Sequence, residues 1–295
     1  MARRTALNDK VVLITGAARG IGAETARVAA ARGARVALAG LEPERLEALA
    51  AELGPGHAWF RCDVTDQASV EAAVAGAVER LGGIDVVLAN AGIGANGTLA
   101  IAPVDVLLRV IDVNLHGVVR TVAAALPHVT ARRGYVMITA SSASYGALPG
   151  MSTYCASKAG VEHFANSLRL EVAHKGVAVG TIHPAWIDTD LVRDQKAESA
   201  LFDETLTKLP GPAGAQVSVQ ACAEAIADGM ERRRRKVFVP RGVVALAVLK
   251  PLLNSGVGDW LPRRQARRWV PRLETETLAR GTWFGGTSMG MGPDD

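Results

Sequence analysis

Tyr154 and Lys158 stand four residues apart in a chain of 295. They lie within residues 152–174, whose pattern predicts a helix. At that spacing two side chains share a helix face, with Cβ atoms roughly 5–6 Å apart. A free phenol keeps its proton up to a pKa of about 10. An ammonium beside it favours the phenolate and draws that value toward the range of a general acid/base. The pair alone also fits an ordinary charged helix face, so its meaning depends on what the rest of the chain brings to it.

A second chemical feature lies near the start. Residues 11–14 (Val-Val-Leu-Ile) form an unbroken apolar run, as expected of a strand covered on both faces of a parallel sheet. The run feeds Thr15-Gly16-Ala17-Ala18-Arg19-Gly20-Ile21-Gly22 and then an alanine-rich helical stretch, residues 23–32. Strand, glycine turn and helix are the context a phosphate-binding turn requires. Gly16 permits the tight turn, Gly20 lets backbone approach a pyrophosphate, and Gly22 lets the helix pack on the strand. Amides at the helix N-terminus would face the anion.

Positioning these groups falls to an alternating series. Further strands are predicted at residues 34–39, 58–62, 84–89, 135–139, 177–182 and 236–239. Helices are predicted at 43–53, 67–81, 104–130, 152–174 and 217–235. Such alternation specifies a parallel α/β sheet with right-handed crossovers. Polar residues cluster just past the strand ends, where α/β ligand crevices open: Asp63, Asn90, Ser141, and His183 to Thr189. Residues 190–214 are polar, contain Pro210-Gly211-Pro212 and read as a lid. From Pro240 onward prolines, tryptophans and a basic cluster at 263–268 replace the alternation. This tail is too short for a domain of its own, and residues 285–295 are expected to fray.

Composition narrows the field. Apolar residues make up 49% of the chain but aromatics only 4%, so aliphatic side chains must build the core. The net charge of +4 is no signature of nucleic-acid binding, because much of the excess sits in the clusters at 232–236 and 263–268. Cys62, Cys155 and Cys222 have no paired spacing and are expected to be reduced thiols. The six histidines are dispersed and no metal is implied; His183 reads as a satisfied loop histidine. No signal peptide and no apolar run near the ~20 residues of a membrane span is found, so a cytoplasmic protein is expected.

Together, Thr15-Gly16-x-x-x-Gly20-Ile21-Gly22, Asn90-Ala91-Gly92, Asn114, Ser141, Tyr154-x-x-x-Lys158 and Pro184-x-x-x-x-Thr189 resemble the short-chain dehydrogenase/reductase superfamily. Their order is the family's, as is the spacing of thirteen residues between Ser141 and Tyr154, and the match covers about residues 8–240. The resemblance implies a Rossmann-like, doubly wound, mostly parallel seven-stranded sheet with helices on both faces. Residues 1–240 would be the catalytic domain, with a lid at about 190–215, and 241–295 an extension packing on or near it.

It also implies an NAD(P)-dependent oxidoreductase that interconverts a secondary alcohol and a ketone by hydride transfer. Tyr154 would be the general acid/base, Lys158 would lower its pKa and hold the nicotinamide ribose, and Ser141 would hold the substrate oxygen. Ser142 and Ser144 are neighbouring hydroxyls, and family spacing selects Ser141. Asn114 would bend its helix and hold a water linking Lys158 to solvent. The implied cofactor contacts begin with Gly16, Arg19, Gly20, Ile21 and Gly22 in the turn, then Gly40 and Leu41 at the end of the second strand. They continue with Asp63 and Val64 near adenine, Asn90, Ala91 and Gly92 near the adenosine ribose, and Pro184, Ile187 and Thr189 near the nicotinamide, beside Tyr154 and Lys158. The usual Pro-Gly is Pro184-Ala185 here, which leaves the local backbone path open. Sugar-nucleotide epimerases and dehydratases share Tyr-x-x-x-Lys, and a non-catalytic nucleotide sensor or scaffold could use the same fold; the complete Asn114, Ser141, Tyr154, Lys158 set argues against the latter.

Cofactor choice turns on residues 39–42, Ala-Gly-Leu-Glu. Gly40 takes the usual Asp position and Leu41 the usual Arg position, so neither family determinant is present. Glu42 would repel a 2′-phosphate and Arg19 could attract one, a balance that leans to NAD. Leu191, Val192, Leu201 and Phe202, with Trp186 at the base of the lid, would line an apolar pocket for a lipophilic small molecule, or else belong to the core. Residues 232–236, read as a solvated helix end, could together with 243–253 and 263–268 instead bring the chain to an anionic membrane surface. Alternatively the tail closes over the pocket or reaches a neighbouring subunit. By resemblance a homodimer or homotetramer forms through helices 104–130 and 152–174.

Overall fold

The computed structural model describes residues 7–198, 204 and 216–284. The chain begins with strand β1 (Val11–Thr15), all five residues buried, then helix α1 (Gly20–Ala31) and β2 (Arg35–Gly40). Helix α2 (Pro43–Leu53), β3 (Ala58–Arg61), α3 (Gln67–Leu81) and β4 (Val86–Ala89) complete the first half. The second half opens with α4 (Val104–Ile111), a π-helical turn (Asp112–His116) and α5 (Gly117–Ala131). It continues through β5 (Tyr135–Thr139), a 3-10 turn (Ser142–Ser144), α6 (Ser152–Glu171) and β6 (Ala178–Pro184). There follow β7 (Trp186–Ile187), α7 (Asp190–Glu198), β8 (Gln216–Val217), α8 (Val219–Glu231) and β9 (Lys236–Val239). Two more helices, α9 (Val244–Leu253) and α10 (Gly256–Arg280), end the described chain.

Seven strands form one parallel sheet in the order β3-β2-β1-β4-β5-β6-β9, and β7 pairs with β8 in a small second sheet. The order reverses direction between β1 and β4, the switch point at which open α/β sheets place a ligand crevice. Aliphatic side chains such as Val87, Val136 and Val179 pack on one face, and Ile14, Leu38 and Met137 on the other. The strands read as continuous apolar runs because both faces are covered. The doubly wound, seven-stranded architecture expected from the sequence is therefore the one observed.

Two expectations need correction. Residues 104–130 do not form one continuous helix, because the π turn interrupts them at Asn114, whose side chain bonds backbone outside the helix. In the tail, Pro251 lies inside α9, and Pro262 and Pro271 lie inside α10. The predicted helix at 217–235 ends at Glu231, where Arg233 takes a left-handed φ of 47°. Lys236 begins β9, as the strand predicted at 236–239 required, and donates to the buried Glu162 at 2.5 Å. Among the described residues no helix is long and apolar enough to cross a membrane.

Candidate active site

The C-terminal ends of β1, β2, β4, β5 and β6 frame a cleft of about 270 Å³. One end is the glycine turn. Gly16 has φ +65°, and an added Cβ would lie 2.8 Å from the Ala91 Cα, so only glycine fits. Gly22 is behind the turn, where a Cβ would meet the Gly16 carbonyl oxygen at 2.1 Å; it sets how closely α1 packs. No side chain caps α1, whose first residues, Gly20 and Ile21, line the cleft. Asn90 braces this end. Its Nδ2 donates to the Thr15 and Gly16 carbonyls at 3.1 and 3.3 Å, and its Oδ1 accepts from Thr139 Oγ1 at 3.1 Å.

Tyr154 and Lys158 project from α6 into the same cleft. The Lys158 Nζ is 5.7 Å from the Tyr154 ring centroid and donates to the Thr139 carbonyl at 2.9 Å. Only 4% of Lys158 is exposed, and desolvation pushes its ammonium down to about 8. Ser141 sits at the end of β5, and its Oγ accepts from the Ala143 amide at 3.1 Å. The Tyr154 phenol is raised above its ordinary value, because desolvation outweighs the lowering influence of the nearby Ser141 side chain. The expected lowering by Lys158 is thus not what the geometry gives: the ammonium spends a hydrogen bond on Thr139 while burial penalises the phenolate. Of the alternative hydroxyls, Ser144 is turned away and donates to the Lys158 carbonyl at 2.9 Å.

Asn114 does not line the cleft. It is fully buried behind it, accepting from the Ile93 amide at 2.8 Å and donating to the Ile93 carbonyl at 2.9 Å and Ser157 Oγ at 3.2 Å. It nonetheless closes on Lys158 around Gly92, where an added Cβ would come within 3.2 Å of Asn114 Oδ1 and 3.3 Å of Lys158 Nζ. Gly40, Leu41, Asp63, Val64, Asn90, Ala91 and Gly92 line the cleft with Pro184, Ile187 and Thr189, as the sequence suggested. Asp63 holds a local turn through the Thr65 amide and hydroxyl at 2.8 and 2.7 Å. Arg19 forks onto Glu42, with its Nε 2.9 Å from one carboxylate oxygen and a terminal nitrogen on the other. Burial and the neighbouring Arg45 hold the Arg19 guanidinium below its usual value. Trp186 and Val192 line the cleft, whereas Leu201, Phe202, the side chain of Leu191 and most of the lid lie outside the described residues.

Sequence reasoning missed several contributors. Thr139 supplies the carbonyl for Lys158 and the hydroxyl for Asn90; its place at a strand end facing the crevice was the available signal. Arg109, Leu148 and Met151 also line the cleft. Behind Ser141 runs a buried polar chain that no local pattern announces. The His183 Nδ1 lies 3.3 Å from the Ser141 carbonyl oxygen and its Nε2 is 3.0 Å from the Tyr145 hydroxyl, which donates to Glu162 at 3.2 Å. Burial holds His183 down at about 4, so the ring is neutral, as expected of a satisfied histidine. Cys62 borders the cleft, but burial pushes its thiol up to about 12.

The sequence profile of the short chain dehydrogenases matches residues 10–200. A dehydrogenase/reductase of that family (member 7B) from Bos taurus is 33% identical over 279 residues, covering 90% of this chain and 84% of the relative. A glycine betaine reductase from Emericella nidulans is 36% identical over 215 residues, of which this chain spans 16% of the length. An alcohol dehydrogenase from Thermococcus sibiricus, solved with 5-hydroxy-NADP, has TM-score 0.67 at 28% identity, covering 78% of this chain and 95% of that one. A 3-ketoacyl-(acyl-carrier-protein) reductase from Brucella melitensis, solved with NADH, has TM-score 0.71 at 25% identity, covering 79% and 97%. A glycine turn at the sheet's switch point, a tyrosine and a buried lysine facing it across one cleft, and these likenesses have one reading: the chain is an oxidoreductase of the short-chain dehydrogenase/reductase family.

Proposed function

We propose that this protein interconverts a lipophilic secondary alcohol and its ketone, with Tyr154 as general acid/base and NAD as the favoured nicotinamide cofactor. The observation that carries the reading is that Ser141, Tyr154 and Lys158 line one cleft, with the Lys158 Nζ 5.7 Å from the Tyr154 ring centroid, and that the glycine turn closes this cleft at its far end. The residues fit a dinucleotide: Gly16 and Gly22 leave a cradle a Cβ would fill, and uncapped α1 amides suit a pyrophosphate. Gly16, Arg19, Gly20 and Ile21 would hold the phosphates, Asp63 and Val64 the adenine side, Asn90 to Gly92 the adenosine ribose, and Pro184, Ile187 and Thr189 the nicotinamide. When bound, the nicotinamide supplies or accepts the hydride.

The chain's own residues would handle the proton. Tyr154, kept protonated by burial, is suited to donate to the oxygen of a ketone. Ser141 would hold that oxygen as charge develops on it. Lys158 would anchor the cofactor ribose, and Asn114 would fix the π turn and the water path behind it. Ile93, Leu148, Met151, Trp186 and Val192 make the substrate side apolar, which supports a lipophilic compound over a sugar. The Arg19–Glu42 fork leaves the arginine engaged and a carboxylate at the end of β2, which supports NAD. Residues 1–240 would act as the catalytic unit under a lid at about 190–215, with 241–295 packed on it. Exposed Val104, Leu108 and Leu170 on the long helices support a homodimer or homotetramer.

The test is a panel of lipophilic secondary alcohols with NAD, followed by the absorbance of reduced nicotinamide. Tyr154→Phe should lower kcat by about 10²–10⁴-fold. Equal turnover in the variant would remove the mechanism.

A further inference from the structure

The two C-terminal helices carry large apolar side chains that no described residue covers. Helix α9 is Val-Ala-Leu-Ala-Val-Leu-Lys-Pro-Leu-Leu, yet none of its residues is buried. Val244, Val248 and Leu252 recur every four residues, with Leu249 on the same face, and Val248 is 73% exposed. The opposite side is pinned to the body, where Lys250 reaches Glu162 at 3.5 Å and lies 5.6 Å from the Tyr145 ring centroid. The apolar stripe therefore has a fixed outward direction. Past the turn at Asn254 and Ser255, α10 adds Val257, 80% exposed, and Trp260, 64% exposed. Next along α10 come Arg263, Arg264, Arg267 and Arg268, all exposed, and none has an ion-pair partner among the described residues. The Arg264 guanidinium lies 5.9 Å from the centre of the Trp260 ring.

We propose that helices α9 and α10 dock the protein on an anionic lipid bilayer. An aliphatic stripe beside a tryptophan and a row of arginines is the pattern of an interfacial element. The apolar side chains enter the headgroup boundary while the cations meet lipid phosphates. The charge also argues against a second copy of the chain as the occupant. A two-fold contact through this face would set the basic row against its own copy, and like-charge repulsion opposes it. The cluster at residues 232–236 takes no part, because it enters β9 at the end of the strand opposite the one that leads to α9, and Lys236 is paired with Glu162. The other half of α10 turns toward the cleft. Leu273 packs at Gly150, Glu274 accepts from the Thr98 hydroxyl at 2.5 Å, and the Trp283 carbonyl accepts from the Asn96 amide at 2.9 Å. One helix thus joins the docking face to loops beside the cleft. The proposal is independent of substrate identity and needs no turnover to test.

The experiment is co-sedimentation of the full chain with vesicles of phosphatidylcholine alone or mixed equally with phosphatidylglycerol. The protein should pellet with the mixed vesicles, remain in solution with phosphatidylcholine, and be released at about 0.5 M salt. Each arginine near the surface is worth about fivefold in partitioning, so replacing all four by glutamine should lower it roughly a hundredfold or more. Val248→Ser with Leu252→Ser should weaken it as well, with the helical circular dichroism unchanged. No pelleting of the unaltered chain with anionic vesicles at low salt overturns the proposal. So does a four-arginine variant that pellets like the parent, or a Val248→Glu, Leu252→Glu variant whose only effect is to split an oligomer in sedimentation velocity.

Discussion

A lysine almost wholly removed from water holds its proton weakly, and Lys158 is such a group, brought from 10.5 down to about 8 by desolvation. Above pH 8 the folded chain releases a proton that the unfolded chain keeps until 10.5, so folding stability rises with pH across that interval. Activity should do the reverse. If the ammonium anchors the cofactor, kcat/KM for ketone reduction falls as pH rises through about 8, by about tenfold per unit beyond it. A profile flat to about pH 10 would reject Lys158 from the role. Glu42 offers a second test at this scale. Glu42→Gln releases Arg19 from its fork and removes a carboxylate, so the preference for NAD over NADP should fall by about tenfold or more in relative kcat/KM. The types and spacing of Tyr154, Lys158 and Ser141 were legible in the sequence, because a four-residue helix repeat and a strand end are local facts. The raised phenol was not legible, since burial is a property of the packed chain.

Among the elements, the turn at Asp112–His116 departs furthest from what periodicity can reveal. A hydrophobic repeat continues through residues 104–130 and says helix, and helix it mostly is. What widens the turn is Asn114 bonding both backbone groups of Ile93, which lies 21 residues earlier and on another segment. Asn114→Ala would leave those two backbone groups without their partner, while the Ser157 hydroxyl keeps its bond to the Tyr154 carbonyl. The expected loss is about 2–4 kcal/mol in a urea unfolding curve, with the slope unchanged. A loss below about 0.5 kcal/mol would mean that the turn is held by packing instead. The seven strands of the main sheet, by contrast, were legible to within two residues, since two-sided burial writes an apolar run into the sequence, whereas the short β7 and β8 were not. In the tail, where no secondary structure was predicted, the chain forms two helices. Only the contacts of Leu273 and Trp283 with the loops at Gly150 and Gly97 show why α10 extends so far.

At the scale of the whole molecule, Glu162 is the point where separate layers meet. It sits on α6, accepts from the Tyr145 hydroxyl and from Lys236 of β9, and faces Lys250 of α9. Through Tyr145 and His183 the same chain of contacts ends on the Ser141 carbonyl, so the tail and the Ser141 backbone share one buried polar chain. Burial pushes the Glu162 carboxyl up, but the Lys236 hydrogen bond and the surrounding positive charge outweigh it, and the net shift is downward from 4.5. A depressed carboxylate stabilises the fold above its unfolded value, so this contribution is present at neutral pH and lost as pH falls below 4.5. Glu162→Ala would strand Lys236 and the Tyr145 hydroxyl beside a cavity, at a cost of about 3–5 kcal/mol. Lys250→Ala, removing the more exposed partner at a longer distance, should cost no more than about 1 kcal/mol. Urea midpoints at pH 7 and pH 4 separate the two: the difference between parent and Glu162→Ala should shrink at the lower pH, because the parent has by then begun to lose the same charge. Equal midpoints at both pH values would mean that the body and the tail are joined elsewhere.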